Sequence, residues 1–174
     1  MPTSYQSPMR GDKKSEAKTT SQSTETNTVK EVATVAKVLE VKGGSVYTIG
    51  PDDTIKTAVT LLKDRRIGAL VVTTEDGALV GILSERDIVR KLAETPGQTL
   101  PQKVSDNMTH DVETCSPDDN LIEVSRRMTK GTFRHMPVME DGKLCGMITI
   151  GDVVNYRLTE LEHEALQLKQ MIVG

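Results

Sequence analysis

A chain of 174 residues with 36% hydrophobic content and a net charge of −3 has room for one ordinary domain or two small repeats sharing a core. It holds no Trp, one Phe and three Tyr, so its core must be aliphatic and it has few rings on which bases could stack. Its basic residues are scattered rather than blocked, and nucleic acid is therefore not an expected partner.

Residues 1–28 contain eleven Ser or Thr and only four hydrophobic residues, Met1, Tyr5, Met9 and Ala17. Such a stretch cannot bury enough apolar area to offset its ordering entropy, and it reads as a disordered tail. A hydroxyl-rich leader for organelle import has a similar composition, but Asp12, Glu16 and Glu25 beside a single arginine, Arg10, weigh against it. No signal-peptide core is present, and no apolar run approaches the ~18–20 residues of a membrane span. The expected setting is cytoplasmic, with no membrane partner.

Order is expected from residue 29. Thr28-x-x-Glu31 has the form of a capping box, and Val29, Val32, Val35, Ala36 and Leu39 follow at helical spacing. Lys42-Gly43-Gly44 ends this leading segment, residues 29–45, and Val46 to Ile49 reads as a short strand.

The chain then repeats itself. Val46-Tyr-Thr-Ile-Gly-Pro-Asp-Asp53 returns as Val112-Glu-Thr-Cys-Ser-Pro-Asp-Asp119, an offset of 66. Beyond Asp76-Gly77 and Asp141-Gly142 the offset is 65, so the single deletion falls beside a turn, where a length change costs little. Each unit, 46–95 and 112–157, reads β-α-β-β-α, with a linker carrying a short helix at 96–111. The first helix, capped by Asp52, Asp53 or Thr54 (Asp118, Asp119 or Asn120), is expected to bury Ile55, Ala58, Val59 and Leu62, or Leu121, Val124 and Met128. Two hairpins follow, Ala69–Thr73 with Leu79–Leu83 and Met136–Met139 with Leu144–Ile148, each turned by Asp-Gly. The fold class is α/β (α+β). One unit alone is too small to cover its sheet, so two are expected to stack and leave clefts between them.

Gly81-Ile-Leu-Ser84-Glu-Arg-Asp87 and Gly146-Met-Ile-Thr149-Ile-Gly-Asp152 share the pattern Gly-x-x-[Ser/Thr]-x-x-Asp. A strand running into a helix whose N-cap hydroxyl is answered by an N3 acid explains the pattern without a ligand. The other reading is a ligand site: hydroxyl and N–H groups at a helix start hold phosphate, and the carboxylate accepts both hydroxyls of a ribose.

Together with the Pro-x-x-[Thr/Asn]-[Ile/Leu] helix starts, Val104-Ser-Asp-Asn-Met-Thr109 and Arg134-His-Met-Pro-Val138, these motifs resemble the cystathionine-β-synthase (CBS) domain family over residues ~29–160. The ending Ile150-Gly-Asp-Val-Val-Asn-Tyr-Arg157 is similar to small stand-alone members in bacteria and plant organelles. The resemblance implies two repeats in a pseudo-twofold pair, a Bateman module, with adenosyl ligands (AMP, ATP, NAD(H) or S-adenosylmethionine) in the inter-repeat clefts. It implies ribose contacts from Asp87 and Asp152, hydroxyl contacts from Ser84 and Thr149, and backbone contacts to adenine around Thr48 and Thr114. It also puts phosphate-contacting bases at Arg134 and His135, with Arg86 a further candidate. Repeat one has Gly68-Ala69 where repeat two has Arg134-His135, and Val71 where it has Pro137, so the two clefts are expected to differ.

Leu158, Leu161, Ala165, Leu168 and Ile172 form a 3-4-3-4 stripe in a C-terminal helix, 158–174. The helix either lies on its own domain or pairs with a second chain as a homodimer. Cys115 and Cys145 form no C-x-x-C and read as buried thiols of a reducing compartment, while His110, His135 and His163 lie far apart, so no metal is expected. The expected function is nucleotide-sensing regulation without catalysis. The alternative is a protein-interaction module that regulates a redox enzyme or other partner without nucleotide.

Overall fold

The structure is a computed structural model that describes residues 32–173. The tail at 1–28 and the Thr28–Glu31 capping box lie outside the described residues. In chain order the elements are α1 (Val35–Lys42), β1 (Thr48–Ile49), α2 (Ile55–Arg65), β2 (Ala69–Thr73), β3 (Leu79–Ser84), α3 (Glu85–Glu94), α4 (Leu121–Gly131), β4 (His135–Glu140), β5 (Lys143–Thr149) and α5 (Ile150–Val173).

The paired helices α2 and α4 form for the same local reasons. Thr54 Oγ1 accepts from Thr57 N at 3.2 Å, and Asn120 Oδ1 accepts from Ile122 N at 2.8 Å, so these residues are the N-caps. Asp53 and Asp119 instead brace the preceding turns, accepting from Gly50 N at 2.9 Å and Ser116 N at 3.1 Å. Both helices end on a non-glycine residue in the left-handed region, Arg66 at φ 54° and Thr132 at φ 59°. Ile55, Ala58 and Leu62 are buried in α2, as are Leu121, Val124 and Met128 in α4. Val59, expected inside, is 37% exposed because it falls one position off the stripe.

β1, β2 and β3 form a three-stranded sheet, with β1 parallel and β3 antiparallel to β2; β4 and β5 form a two-stranded one. The expected strand Val46–Ile49 is cut to two residues, and its counterpart in repeat two is a single parallel bridge, Cys115↔Val138. At the second hairpin Asp141 and Gly142 both take positive φ, 49° and 74°, the tight-turn geometry for which Asp-Gly is suited.

Two cores result, and each is completed by residues that precede the other repeat. Val35 and Val38 of α1 are buried with Leu121, Val124, Met128, Met136, Val138 and Ile148. Val104 is buried, and Met108 packs, against the core containing Ile55, Leu62, Leu70, Val72 and Leu83. Burying one such aliphatic side chain is worth ~1.5–3 kcal/mol. The backbone repeats the exchange: Val35 N donates to Asp119 O at 3.1 Å and Ala36 N to Pro117 O at 2.8 Å, while Val104 N donates to Asp53 O at 2.8 Å and Ser105 N to Pro51 O at 2.9 Å.

These contacts correct three expectations. The described part of the leading helix starts at Val35, not upstream, because carbonyls of the second repeat satisfy its first free N–H groups. Residues 96–111 form turns rather than a short helix, since Pro96, Gly97 and Pro101 interrupt the run. The C-terminal helix is not a separate element: α5 runs unbroken over 24 residues from Ile150.

Candidate functional site

A cleft of about 520 Å³ opens between the repeats at the start of α3. Repeat one supplies Gly68, Ile82 and the run Ser84–Asp87, with Arg90 one turn further along α3; repeat two supplies Val112, Glu113 and residues 131–135, and the connecting segment adds Thr109 and Asp111. Ser84, Arg86, Asp87, Arg134 and His135 are thus brought together. Thr48, Thr114, Thr149 and Asp152 do not line this cleft.

Ser84 and Asp87 form a complete capping box. Asp87 Oδ2 accepts from Ser84 N at 2.9 Å and from Ser84 Oγ at 2.6 Å, while Asp87 N donates to Ser84 Oγ at 3.4 Å. Glu85 N donates to Gly68 O at 3.0 Å. The N–H groups of Ser84, Glu85 and Asp87 are therefore committed within the protein, where free N–H groups for phosphate were expected. The capping contacts of the carboxylate all run through Oδ2, so its other oxygen is left out of the box.

Arg86 crosses the interface, its Nη1 donating to Thr132 O at 2.9 Å, on the left-handed residue that ends α4. It ties the repeats together at the edge of the cleft that it lines. His135 lies against Gly68: a Cβ there would stand 3.2 Å from both Cε1 and Nε2 of the imidazole. The glycine that looked like a missing contact in repeat one is the space that the histidine of repeat two needs. Burial, with the Lys42 ammonium adding to it, pushes the His135 pKa below its ordinary value against the pull of Asp152 and Glu85. The protonated form of the ring is thereby disfavoured in this setting. Arg134 lines the same cleft, and its carbonyl accepts from Ile150 N at 3.1 Å.

Sequence reasoning missed Arg90, Asp111 and Glu113. Arg90 lies one helical turn from Arg86, a spacing that gives it away once α3 is placed. Asp111, at the end of the connecting segment, and Glu113, at the start of repeat two, reach the cleft through the path of the chain between the repeats, which no local pattern specifies.

The second motif is built alike but differently occupied. Thr149 N donates to Asp152 Oδ2 at 2.8 Å and Asp152 N to Thr149 Oγ1 at 3.1 Å, a second capping box. The same Oδ2 takes an ion pair from Lys42 Nζ at 2.6 Å, and Lys42 also donates to Met147 O at 3.0 Å. Thr48 pairs with Val71 in the sheet, and the Thr114 carbonyl accepts from Arg127 Nη2 at 2.6 Å. Among the described residues no cluster of three or more His, Cys, Asp or Glu could hold a metal, and no helix is long and apolar enough to cross a membrane.

The sequence pattern of the CBS domain matches residues 29–94 and 103–159. The mitochondrial CBS domain-containing protein CBSX3 of Arabidopsis thaliana is 35% identical over 152 residues, covering 83% of this chain and 74% of the relative. The crystal structure of a CBS-domain-containing protein from Agrobacterium tumefaciens superposes with a TM-score of 0.71 at 43% identity, covering 72% of this chain and 99% of that one. A crystal structure of CBSX2 in complex with AMP superposes with a TM-score of 0.60 at 25% identity, covering 72% of this chain and 97% of the other. With two pattern matches on the two repeats and solved relatives of the same tandem architecture, the chain belongs to the CBS-domain family.

Proposed function

We propose that this chain is a regulatory module that binds one class of small molecule, an adenosyl ligand, in the cleft beside Asp87. The observation that carries the reading is the meeting of Ser84 and Asp87 from one repeat with Arg134 and His135 from the other around a single cavity. Asp87 accepts the ribose diol, Ile82, Val112 and Phe133 supply apolar surface for adenine, and Arg134 and Arg90 face the phosphate. The AMP complex of CBSX2 supports the ligand class. NAD(H), ATP and S-adenosylmethionine share the adenosyl part and are the competing ligands.

The role is binding, not catalysis. A ligand that touches both repeats favours the arrangement in which both walls are in place, and so shifts the population between arrangements. The Arg86–Thr132 contact lies on that boundary and reports the shift. Mass spectrometry of small molecules released from the purified protein, followed by calorimetry with AMP, ATP, NADH and S-adenosylmethionine, tests the proposal. Failure of all four to bind or to raise the melting temperature would overturn it.

The competing reading is a protein-interaction module acting without nucleotide, and the uncovered face of α5 favours it. Leu158, Leu161, Leu168 and Ile172 are all exposed, so the stripe does not lie on its own domain. A homodimer seam is the first use proposed for this face, with a regulated enzyme as the further partner. The proposed setting is cytoplasmic. Mitochondrial import, as in the Arabidopsis relative, is the competing location, and a reporter fused behind residues 1–28 distinguishes the two.

A further inference from the structure

We infer that the chain carries its own occupant for the second of its two related motifs: the Lys42 ammonium sits on Asp152 and closes that carboxylate to an adenosyl ligand, so one chain takes up one ligand, at Asp87. The inference rests on the adenosyl reading of the Asp87 cleft and adds its stoichiometry and the residue that sets it.

The pseudosymmetry of the fold isolates Lys42 as the odd element. Gly81 and Gly146 open the two motifs, and each is covered by a side chain from the segment that precedes the other repeat. A Cβ on Gly81 would collide with Met108, and one on Gly146 would stand 2.9 Å from Leu39 Cδ1 and Cδ2. Leu39 and Met108 are therefore counterparts. Three residues beyond Leu39 stands Lys42; three beyond Met108 stands Asp111, which lines the open cleft. The carbonyls behave in the same way. Ile82 O, in the first motif, accepts from the main-chain N–H of Thr109 at 2.9 Å, whereas its counterpart Met147 O accepts from Lys42 Nζ at 3.0 Å. Where one side has a backbone donor and an acid, the other has a cation.

The ammonium is also held in place. Lys42 is the last residue of α1, and Gly43, at φ 88°, turns the chain directly after it. A Cβ on Gly44 would stand 3.0 Å from Cys145 O, so the chain passes close over β5 and the end of α1 is fixed there. The side chains of Lys42 and Asp152 are 35% and 19% exposed, so the 2.6 Å pair is less screened than a surface contact. A ribose diol needs the same carboxylate, and its neutral hydroxyls would have to displace an ammonium that carries a full opposite charge.

Two experiments test this. The first needs no ligand: in the wild-type chain Lys42 should be acylated by an amine reagent several-fold more slowly than Lys63, whose side chain is 84% exposed, and Asp152→Asn should abolish the difference. Equal rates in the wild type would overturn the ion pair, whatever the protein binds. The second is calorimetric titration with AMP. The wild type should bind about one per chain, and Lys42→Met, which keeps an unbranched side chain without the charge, about two; Lys42→Gln serves as a second variant if the first melts early. An unchanged stoichiometry, or a weakened single site, would overturn the exclusion, the latter by making Lys42 a ligand contact. No AMP binding by either protein would overturn the adenosyl reading and the exclusion with it, while the acylation result would still show whether the ion pair exists.

Discussion

The backbone N–H of Val104 donates to the carbonyl of Asp53 at 2.8 Å, and through that bond the segment before repeat two becomes part of repeat one. Val35 does the same for repeat two at Asp119. Neither repeat has a complete core without the other's leading segment, so each half of the pair is built partly from the chain that leads into the other.

Packing across this exchange sets the first prediction. Gly81→Ala and Gly146→Ala push a methyl into Met108 and Leu39 respectively, and each should destabilise the fold by ~1–3 kcal/mol. Thermal melts measure it. A neutral effect at both positions would mean that the segments are not seated on the strands.

Asp87 and Asp152 should separate in binding while resembling each other in stability. Either change to Ala removes a capping box, a loss of ~0.5–2 kcal/mol. Charge-assisted hydrogen bonds are worth ~1.5–3 kcal/mol each, so Asp87→Ala should weaken AMP at least ~10-fold. Asp152→Ala should leave AMP affinity at the Asp87 cleft unchanged. Calorimetry decides, and equal insensitivity of both variants would leave only the capping role.

Arg134→Ala should weaken AMP and ATP while sparing adenosine, because the guanidinium acts on phosphate alone. Arg86→Ala, by contrast, should affect adenosine and AMP alike, since its Nη1 is bound to Thr132 O. The ratio of AMP to adenosine affinity in each variant is the readout. Equal weakening of both ligands by Arg134→Ala would make that residue structural.

The His135 pKa is held below its ordinary 6.5 by burial and then by Lys42, with Arg134 adding to them and Asp152 and Glu85 opposing. The unfolded chain therefore binds this proton more readily than the folded one. Its contribution to stability is intact above about pH 6.5 and is lost as the pH falls through the lowered folded value. Melting temperatures measured downward from pH 7 should fall more steeply for the wild type than for His135→Asn. Identical slopes would show that the ring is not desolvated.

The uncovered face of α5 gives the last prediction. Leu161 and Leu168 are 48% and 59% exposed, and Leu161→Glu with Leu168→Glu should shift a dimer toward monomer in light scattering coupled to gel filtration. Monomeric wild type at micromolar concentration would dismiss the dimer. A dimer unmoved by the double change would place the seam elsewhere, with the exposed Val89 and Leu92 of α3 the next candidates.

The repeat was legible in the sequence as a fixed offset, and the hairpins and the cap reading of both motifs were legible because each depends on contacts within a few residues. Ser84 with Asp87 and Thr149 with Asp152 are three apart, and Asp141-Gly142 makes its turn from its own backbone preferences. Only the tertiary structure decided what each motif faces. The leading segments cross to the opposite repeat, which sets Arg134 and His135 beside Asp87, turns Gly68 from an apparent gap into the seat of an imidazole, and lays Lys42 on Asp152 across 110 residues of sequence. Those pairings follow from which apolar faces bury each other, a choice made by burial over the whole chain rather than by the spacing of residues within either copy.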